Sequence, residues 1–296
     1  MNIGYIGLGV MGQGCASNLL KAGQALQVHA RRAEQMQPLV AAGATPHDSP
    51  ATLAAHCDII FTNVSDTPGV QQVVLGDHGI IHGARAGSVV VDMSTILPSA
   101  ARSIAATLAS QQIEFLDAPV SGGSQGAQEG TLSIMVGGKA EVFQRVLPLL
   151  QAMGKNIVHI GDAGAGQVAK ACNQIVVTQT LGAIAEAYTL AKAAGVDPAR
   201  VRAALLGGFA GSKMLEVHGQ RMLSHQFTPG FKARLHDKDM RIVQQFAQEM
   251  GLELPGTELV AGYIHALVEA GLGEQDSSAL STLFEKKLGK EFGSKE

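Results

Sequence analysis

The sequence predicts an α/β domain built on a parallel sheet, then an all-α domain, with a long helix joining the two. Three observations carry this reading. Short β-branched runs alternate with amphipathic segments in the first half, helical periodicity without a convincing strand fills the second, and the stretch 166–194 is helix-compatible almost throughout. The expected domains are therefore 1–161 and 162–296, with the linking helix at about 166–194.

Taken in order, residues 3–6, 26–30, 58–64, 88–92 and 113–116 read as strands. Most are continuously apolar, as strands covered on both faces are. Residues 12–22 and 98–110 are amphipathic and suit the crossovers of a βαβ series, which makes the sheet parallel. Runs 132–136 and 157–160 flank a helix at 140–153 and extend the same sheet. Gly161, Gly164 and Gly166 then break the pattern, and Gly195 followed by Pro198 closes the long helix in the usual order.

Composition narrows the function. A chain that is 46% hydrophobic can offset its ordering entropy, so disorder is excluded, and 36 glycines without a Gly-X-Y period point to local turns and close approaches. A formal charge of −3 gives no general attraction to phosphate backbones, so nucleic acid is not an expected partner. Cys15, Cys57 and Cys172 have no paired spacing and suit reduced thiols in a cytoplasmic protein. Gln179, Glu186 and Lys192 interrupt the one stretch, 175–194, that resembles a membrane span, so a buried helix is the better reading and no membrane is expected.

Gly7-Leu8-Gly9-Val10-Met11-Gly12 lies between the first strand and the first helix. That position gives a GxGxxG its meaning: a tight turn at Gly7, close backbone approach to a pyrophosphate at Gly9, and helix-to-strand packing at Gly12. The first domain is therefore read as a Rossmann-type dinucleotide-binding domain. At the end of the second strand, where an acidic residue would hold the ribose of NAD, the chain has Ala30 and then Arg31 and Arg32. Two guanidiniums suit a 2′-phosphate, so NADP(H) is favoured over NAD(H); a solvated basic turn is the plain alternative.

Four blocks then stand in order along nearly the whole chain: Gly7 to Gly12 with Asn18-Leu19; Asp117-Ala118-Pro119-Val120-Ser121-Gly122-Gly123 with Gly130-Thr131-Leu132; Gly164-Ala165-Gly166 with Lys170-Ala171-Cys172-Asn173; and Leu235-His236-Asp237-Lys238-Asp239. Together they resemble the β-hydroxyacid dehydrogenase family, and most of all its members that reduce tartronate semialdehyde. The resemblance implies NAD(P)H-dependent reduction of a short carboxylate-bearing aldehyde to a β-hydroxy acid. Members acting on 3-hydroxyisobutyrate, or on glyoxylate and succinic semialdehyde, are the alternatives. A cofactor-binding interaction protein without turnover is the rival from outside the enzymes.

The resemblance makes Lys170 the catalytic acid/base and gives Asn173 a hydrogen-bonding role on the substrate. Both would project from one helix face, where a lysine among apolar neighbours is costly unless paired or used. An isolated lysine of this kind would otherwise read as a solvated helix residue. By the same analogy Ser121, Gly122 and Gly123 cradle the substrate carboxylate, although a surface turn has the same composition. Val64, Ser65 and Thr95 are implied near the nicotinamide ribose and ring, with helix capping as the bland use of Thr95. Lys238 is assigned to the cofactor; read alone, it belongs to a charged helix face. Phe231 is either an apolar wall near the nicotinamide or ordinary core.

His78 and His82 are four apart, but Gly76, Gly79 and Gly83 oppose a helix and no carboxylate completes a set, so no metal is expected. Lys286, Lys287, Lys290 and Lys295, interleaved with Glu285, Glu291 and Glu296, read as a solvated helix or tail. The apolar surface expected on the linking helix suggests a homodimer or homotetramer.

Overall fold

A computed structural model describes residues 1–293. By backbone proximity the chain divides into two compact units, Met1–Lys170 and Ala171–Glu296.

The first unit runs β1 (Ile3–Ile6), α1 (Val10–Lys21), β2 (Leu26–His29), α2 (Gln37–Ala41), β3 (Thr45–Pro46), α3 (Pro50–Ala54), β4 (Ile59–Thr62), α4 (Thr67–Leu75), β5 (Val89–Asp92), α5 (Pro98–Ala109), β6 (Glu114–Asp117), β7 (Val120–Ser121), α6 (Gly123–Glu129), β8 (Leu132–Gly137), α7 (Ala140–Leu150) and β9 (Gly154–Gly161). The sheet order is β3-β2-β1-β4-β5-β6-β8-β7, with β9 paired to β8. Strands β1 to β6 are mutually parallel. Ile3, Tyr5, Phe61, Val89 and Val91 enter one buried cluster and Ile6, Ile60 and Val90 a second, so both sheet faces are covered. That explains the unbroken apolar runs.

The sheet's extension differs from the parallel expectation. β8 runs antiparallel to both β6 and β7. Ten residues, seven of them in α6, separate β7 from β8, and a parallel return needs a connection of roughly a dozen residues or more. Parallel pairing resumes at β9, after α7 has supplied a full crossover.

The long helix, α8 (Ala165–Ala193), is 29 residues and about 43 Å at ~1.5 Å per residue. It begins in the first unit and continues into the second, which adds α9 (Pro198–Leu206), α10 (Lys213–Ser224), α11 (Ala233–Glu249), α12 (Pro255–Leu267) and α13 (Ser281–Leu288). Leu181, Ile184 and Tyr188 of α8 pack with Leu215, Met222, Ile264, Leu267 and Phe292 in this unit's core. Among the described residues no helix is long and apolar enough to cross a membrane.

In the C-terminal segment Lys286, Lys287, Lys290 and Glu291 are exposed, as expected, and only the reading of Glu285 is corrected. Glu285 is buried, where its carboxylate meets His225 Nε2 at 2.8 Å and accepts from the Phe292 amide at 2.7 Å. Once Phe292 enters the core, the acid beside it must be hydrogen-bonded. Lys295 and Glu296 lie outside the described residues.

Candidate active site

One row of the sheet pairs His29 with Ile6, Ile6 with Thr62, Thr62 with Asp92, and Asp92 with Asp117. These residues end β2, β1, β4, β5 and β6, so the loops that follow leave the sheet along a single edge. Arg31-Arg32, the Gly7 to Gly12 turn, Val64-Ser65 and Thr95 are therefore neighbouring departures from the carboxyl ends of parallel strands. The strand order reverses at β1, with β2 on one side and β4 on the other. Such a switch point is where open α/β sheets bind ligands.

At the turn, Gly7 has φ +94°, and a Cβ there would meet the Asn63 carbonyl oxygen at 2.2 Å. A Cβ on Gly12 would strike the Gly7 carbonyl oxygen at 2.0 Å, so no larger residue fits either place. Gly9 is the N-cap of α1 and makes no side-chain hydrogen bond to it, and the space a Cβ would enter holds no protein atom within 4 Å. Leu8 is buried, Met11 partly so, and Val10 exposed. Uncapped helix amides behind an open glycine fit the pyrophosphate of a dinucleotide. Arg31 and Arg32 are exposed after β2, and Arg32 Nε lies 3.7 Å from Glu34 Oε1.

The loops after β4 and β5 are tied together. Thr62 Oγ1 and Ser94 Oγ donate to Asp92 Oδ1 at 2.7 and 2.6 Å, and the Val64 amide donates to Ser94 Oγ at 2.9 Å. Asp117, fully buried at the end of β6, accepts from the Gly164 and Gln167 amides at 2.7 and 2.8 Å. It thereby caps α8 from outside the helix. Burial outweighs these hydrogen bonds and pushes the carboxyl up to about 6. Lys170, one turn further along α8, is only 7% exposed.

Ser121 sits in β7, paired with Ser133 of β8. Gly122 and Gly123 follow with φ +134° and +65°, and Gly122 is the N-cap of α6 without a side-chain hydrogen bond.

Three expected site residues fall in the second unit. Asn173 Nδ2 donates to Gln174 Oε1 and Gln174 Nε2 to Asp239 Oδ2, each at 2.8 Å. Lys238 Nζ lies 2.8 Å from Asp239 Oδ1, so Asn173 and Lys238 end one polar line across α8 and α11. Phe231 is half-buried, its ring 5.5 Å from that of His236. Its backbone is held by Asp276, which accepts from the Gly230 and Phe231 amides at 2.9 and 3.3 Å and pairs with Arg221 Nη1 at 2.5 Å.

Gln167, Gln174 and Asp276 carry this architecture, and sequence reasoning missed all three. Gln167 stood three residues before Lys170, which is a weak signal. The partners of Gln167 and Asp276 are distant in sequence, and no motif marks Asp276.

Residues 2–161 match the model of the NAD binding domain of 6-phosphogluconate dehydrogenase. Residues 164–284 match that described as NAD-binding of NADP-dependent 3-hydroxyisobutyrate dehydrogenase. The chain is 44% identical over 280 residues to a 2-hydroxy-3-oxopropionate reductase of Escherichia coli, covering 95% of this chain and 96% of that protein. It is 35% identical over 295 residues to a 3-hydroxyisobutyrate dehydrogenase of Pseudomonas aeruginosa, covering 97% and 99%. Among solved structures, the 3-hydroxyisobutyrate dehydrogenase of Mycobacterium tuberculosis with L-serine matches with a TM-score of 0.89 and 29% identity, covering 95% and 98%. With the glycine turn at the switch point, these matches define an NAD(P)-dependent oxidoreductase acting on CH–OH groups. The chain belongs to the β-hydroxyacid dehydrogenase family.

Proposed function

We propose that this enzyme uses NADPH to reduce tartronate semialdehyde (2-hydroxy-3-oxopropionate) to glycerate. The carrying observation is Lys170: a buried ammonium on a helix whose first turn is fixed to the end of β6, one turn beyond a residue bound to the loop of Thr95. The relative at 44% identity, named for 2-hydroxy-3-oxopropionate, supports the choice of substrate.

Gly7, Leu8, Gly9, Val10, Met11 and Gly12 hold the pyrophosphate by backbone amides, and Arg31 and Arg32 take the 2′-phosphate. Val64, Ser65, Thr95, Phe231 and Lys238 complete the cofactor contacts. When bound, the nicotinamide supplies a hydride to the carbonyl carbon. Lys170 donates its proton to the carbonyl oxygen as negative charge develops there. Ser121, Gly122 and Gly123 grip the substrate carboxylate, and Asn173, three residues from Lys170, hydrogen-bonds the substrate.

A second reading, 3-hydroxyisobutyrate as substrate, is favoured by the relative and the solved structure that bear its name. One methyl in a pocket is worth only about 1–3 kcal/mol of discrimination. Initial rates with tartronate semialdehyde, methylmalonate semialdehyde, succinic semialdehyde and glyoxylate, each with NADPH and NADH, decide between them. The highest kcat/KM is expected for tartronate semialdehyde with NADPH; a higher value for another aldehyde or for NADH overturns that part of the reading.

The same reading includes a homodimer or homotetramer in the cytoplasm. Val176 and Leu190, 66% and 73% exposed and two heptads apart on α8, form an apolar stripe suited to a second copy. Sedimentation equilibrium at micromolar protein is expected to give a dimer or larger.

A further inference from the structure

Gln167 is 1% exposed, and its main-chain amide and both ends of its carboxamide have fixed partners. Its main-chain amide donates to Asp117 Oδ2 at 2.8 Å, at the end of β6. Its side chain donates from Nε2 to the Ser94 carbonyl oxygen at 2.8 Å and accepts at Oε1 from the Ile96 amide at 3.0 Å. The carboxamide thus grips the backbone on both sides of Thr95. Ser94 is held independently through Asp92 and the Val64 amide, so the loop is fixed from two directions. Three residues further along the same helix, and so on the same face, stands Lys170.

We propose that Gln167 is a positioning residue that holds Thr95 in fixed register with the proton donor Lys170. The inference rests on the proposed roles of those two residues. The chemistry is specific to glutamine. The site asks for one donor and one acceptor on a single carbon at this reach; an ionised glutamate lacks the donor, and methionine of similar size lacks both. If the Thr95 side chain borders the nicotinamide ring, the backbone that carries it must stay put so that this side chain, the carbonyl oxygen and Lys170 remain in line. A displacement of about 1 Å at such a place costs on the order of a hundredfold in rate.

The test is a double-mutant cycle on the full-length enzyme with NADPH and tartronate semialdehyde, or the fastest aldehyde of the panel. Gln167→Met, Thr95→Ala and the double variant are compared for kcat, for aldehyde KM, and for NADPH Kd by fluorescence titration. Gln167→Met is expected to lower kcat ten- to a hundredfold, on the order of the misplacement cost above, with NADPH Kd little changed. Because the effect passes through Thr95, the double variant should be scarcely slower than Thr95→Ala alone. Gln167→Glu, which keeps the acceptor for Ile96, should fall between wild type and Gln167→Met, and it carries the same cycle if the methionine variant does not fold. An unchanged kcat in Gln167→Met, or a full multiplicative loss on the Thr95→Ala background, overturns the inference while leaving the wider reading intact. Wild-type kinetics in Thr95→Ala remove both the assigned role of Thr95 and the inference built on it.

Discussion

Gln174 and Asp239 are joined by a 2.8 Å hydrogen bond from Nε2 to Oδ2, linking α8 to α11 at the centre of the line from Asn173 to Lys238. Both residues are buried, so neither end of the bond has water to replace its partner. Gln174→Leu removes the donor to Asp239 and the acceptor for Asn173 together. A loss of about 1–3 kcal/mol is expected. It should be read as a lower urea midpoint at unchanged slope.

Asp117 gives the fold a pH-dependent term. Burial raises its folded-state pKa from 3.8 to about 6, so the folded protein holds this proton more tightly than the unfolded chain does. Stability from this group is therefore present at low pH and falls as pH rises from about 4 to about 6. The full change is about 3 kcal/mol. Urea denaturation across that window should show a downward contribution in the wild type that is absent in Asp117→Asn. Equal slopes in the two proteins would contradict the assignment.

Asp276 has the opposite sign. Burial alone would raise its pKa, but hydrogen bonds from His218 and Ser278 outweigh burial and hold the carboxyl well below the usual carboxylate range. Its contribution is present above about pH 4 and is lost as pH falls below that. Asp276→Ala, which strands the Arg221 guanidinium and the amides that fix Phe231, is expected to cost about 3–5 kcal/mol at pH 7. Thermal or urea unfolding at pH 7 and pH 3 should show a smaller gap between variant and wild type in acid.

The proposed preference for NADPH is tested most directly at Arg31 and Arg32. Replacing both by alanine should lower kcat/KM for NADPH tenfold or more, about 1.4 kcal/mol per factor of ten, with little effect on NADH. Both side chains are exposed, and the Arg32–Glu34 pair is open to water, so stability should change by well under 1 kcal/mol. An unchanged NADPH-to-NADH ratio would remove the 2′-phosphate role.

Much of this architecture was legible in the sequence because it is local. The GxGxxG names its own turn, since Gly7 and Gly12 stand where a Cβ would strike backbone. Continuous apolar strands announced a sheet covered on both faces, and unbroken periodicity announced α8. Reversal of β8 was not legible, because it follows from a connection too short to cross over rather than from any feature of residues 132–136. The buried role of Glu285 was hidden because an acid among lysines reads as surface until Phe292 is placed beside it. Gln167 and Asp276 escaped for a similar reason: a polar residue declares its role only when the fold delivers its partners.

Replacing the Lys170 ammonium, on which the proposed reaction depends, is the most direct measurement. Lys170→Met keeps an unbranched side chain one atom shorter and removes the proton. Its kcat for aldehyde reduction is expected to fall about 10²- to 10⁴-fold, while NADPH Kd measured by fluorescence stays close to wild type. Wild-type kcat in that variant would contradict the assignment of the proton to Lys170.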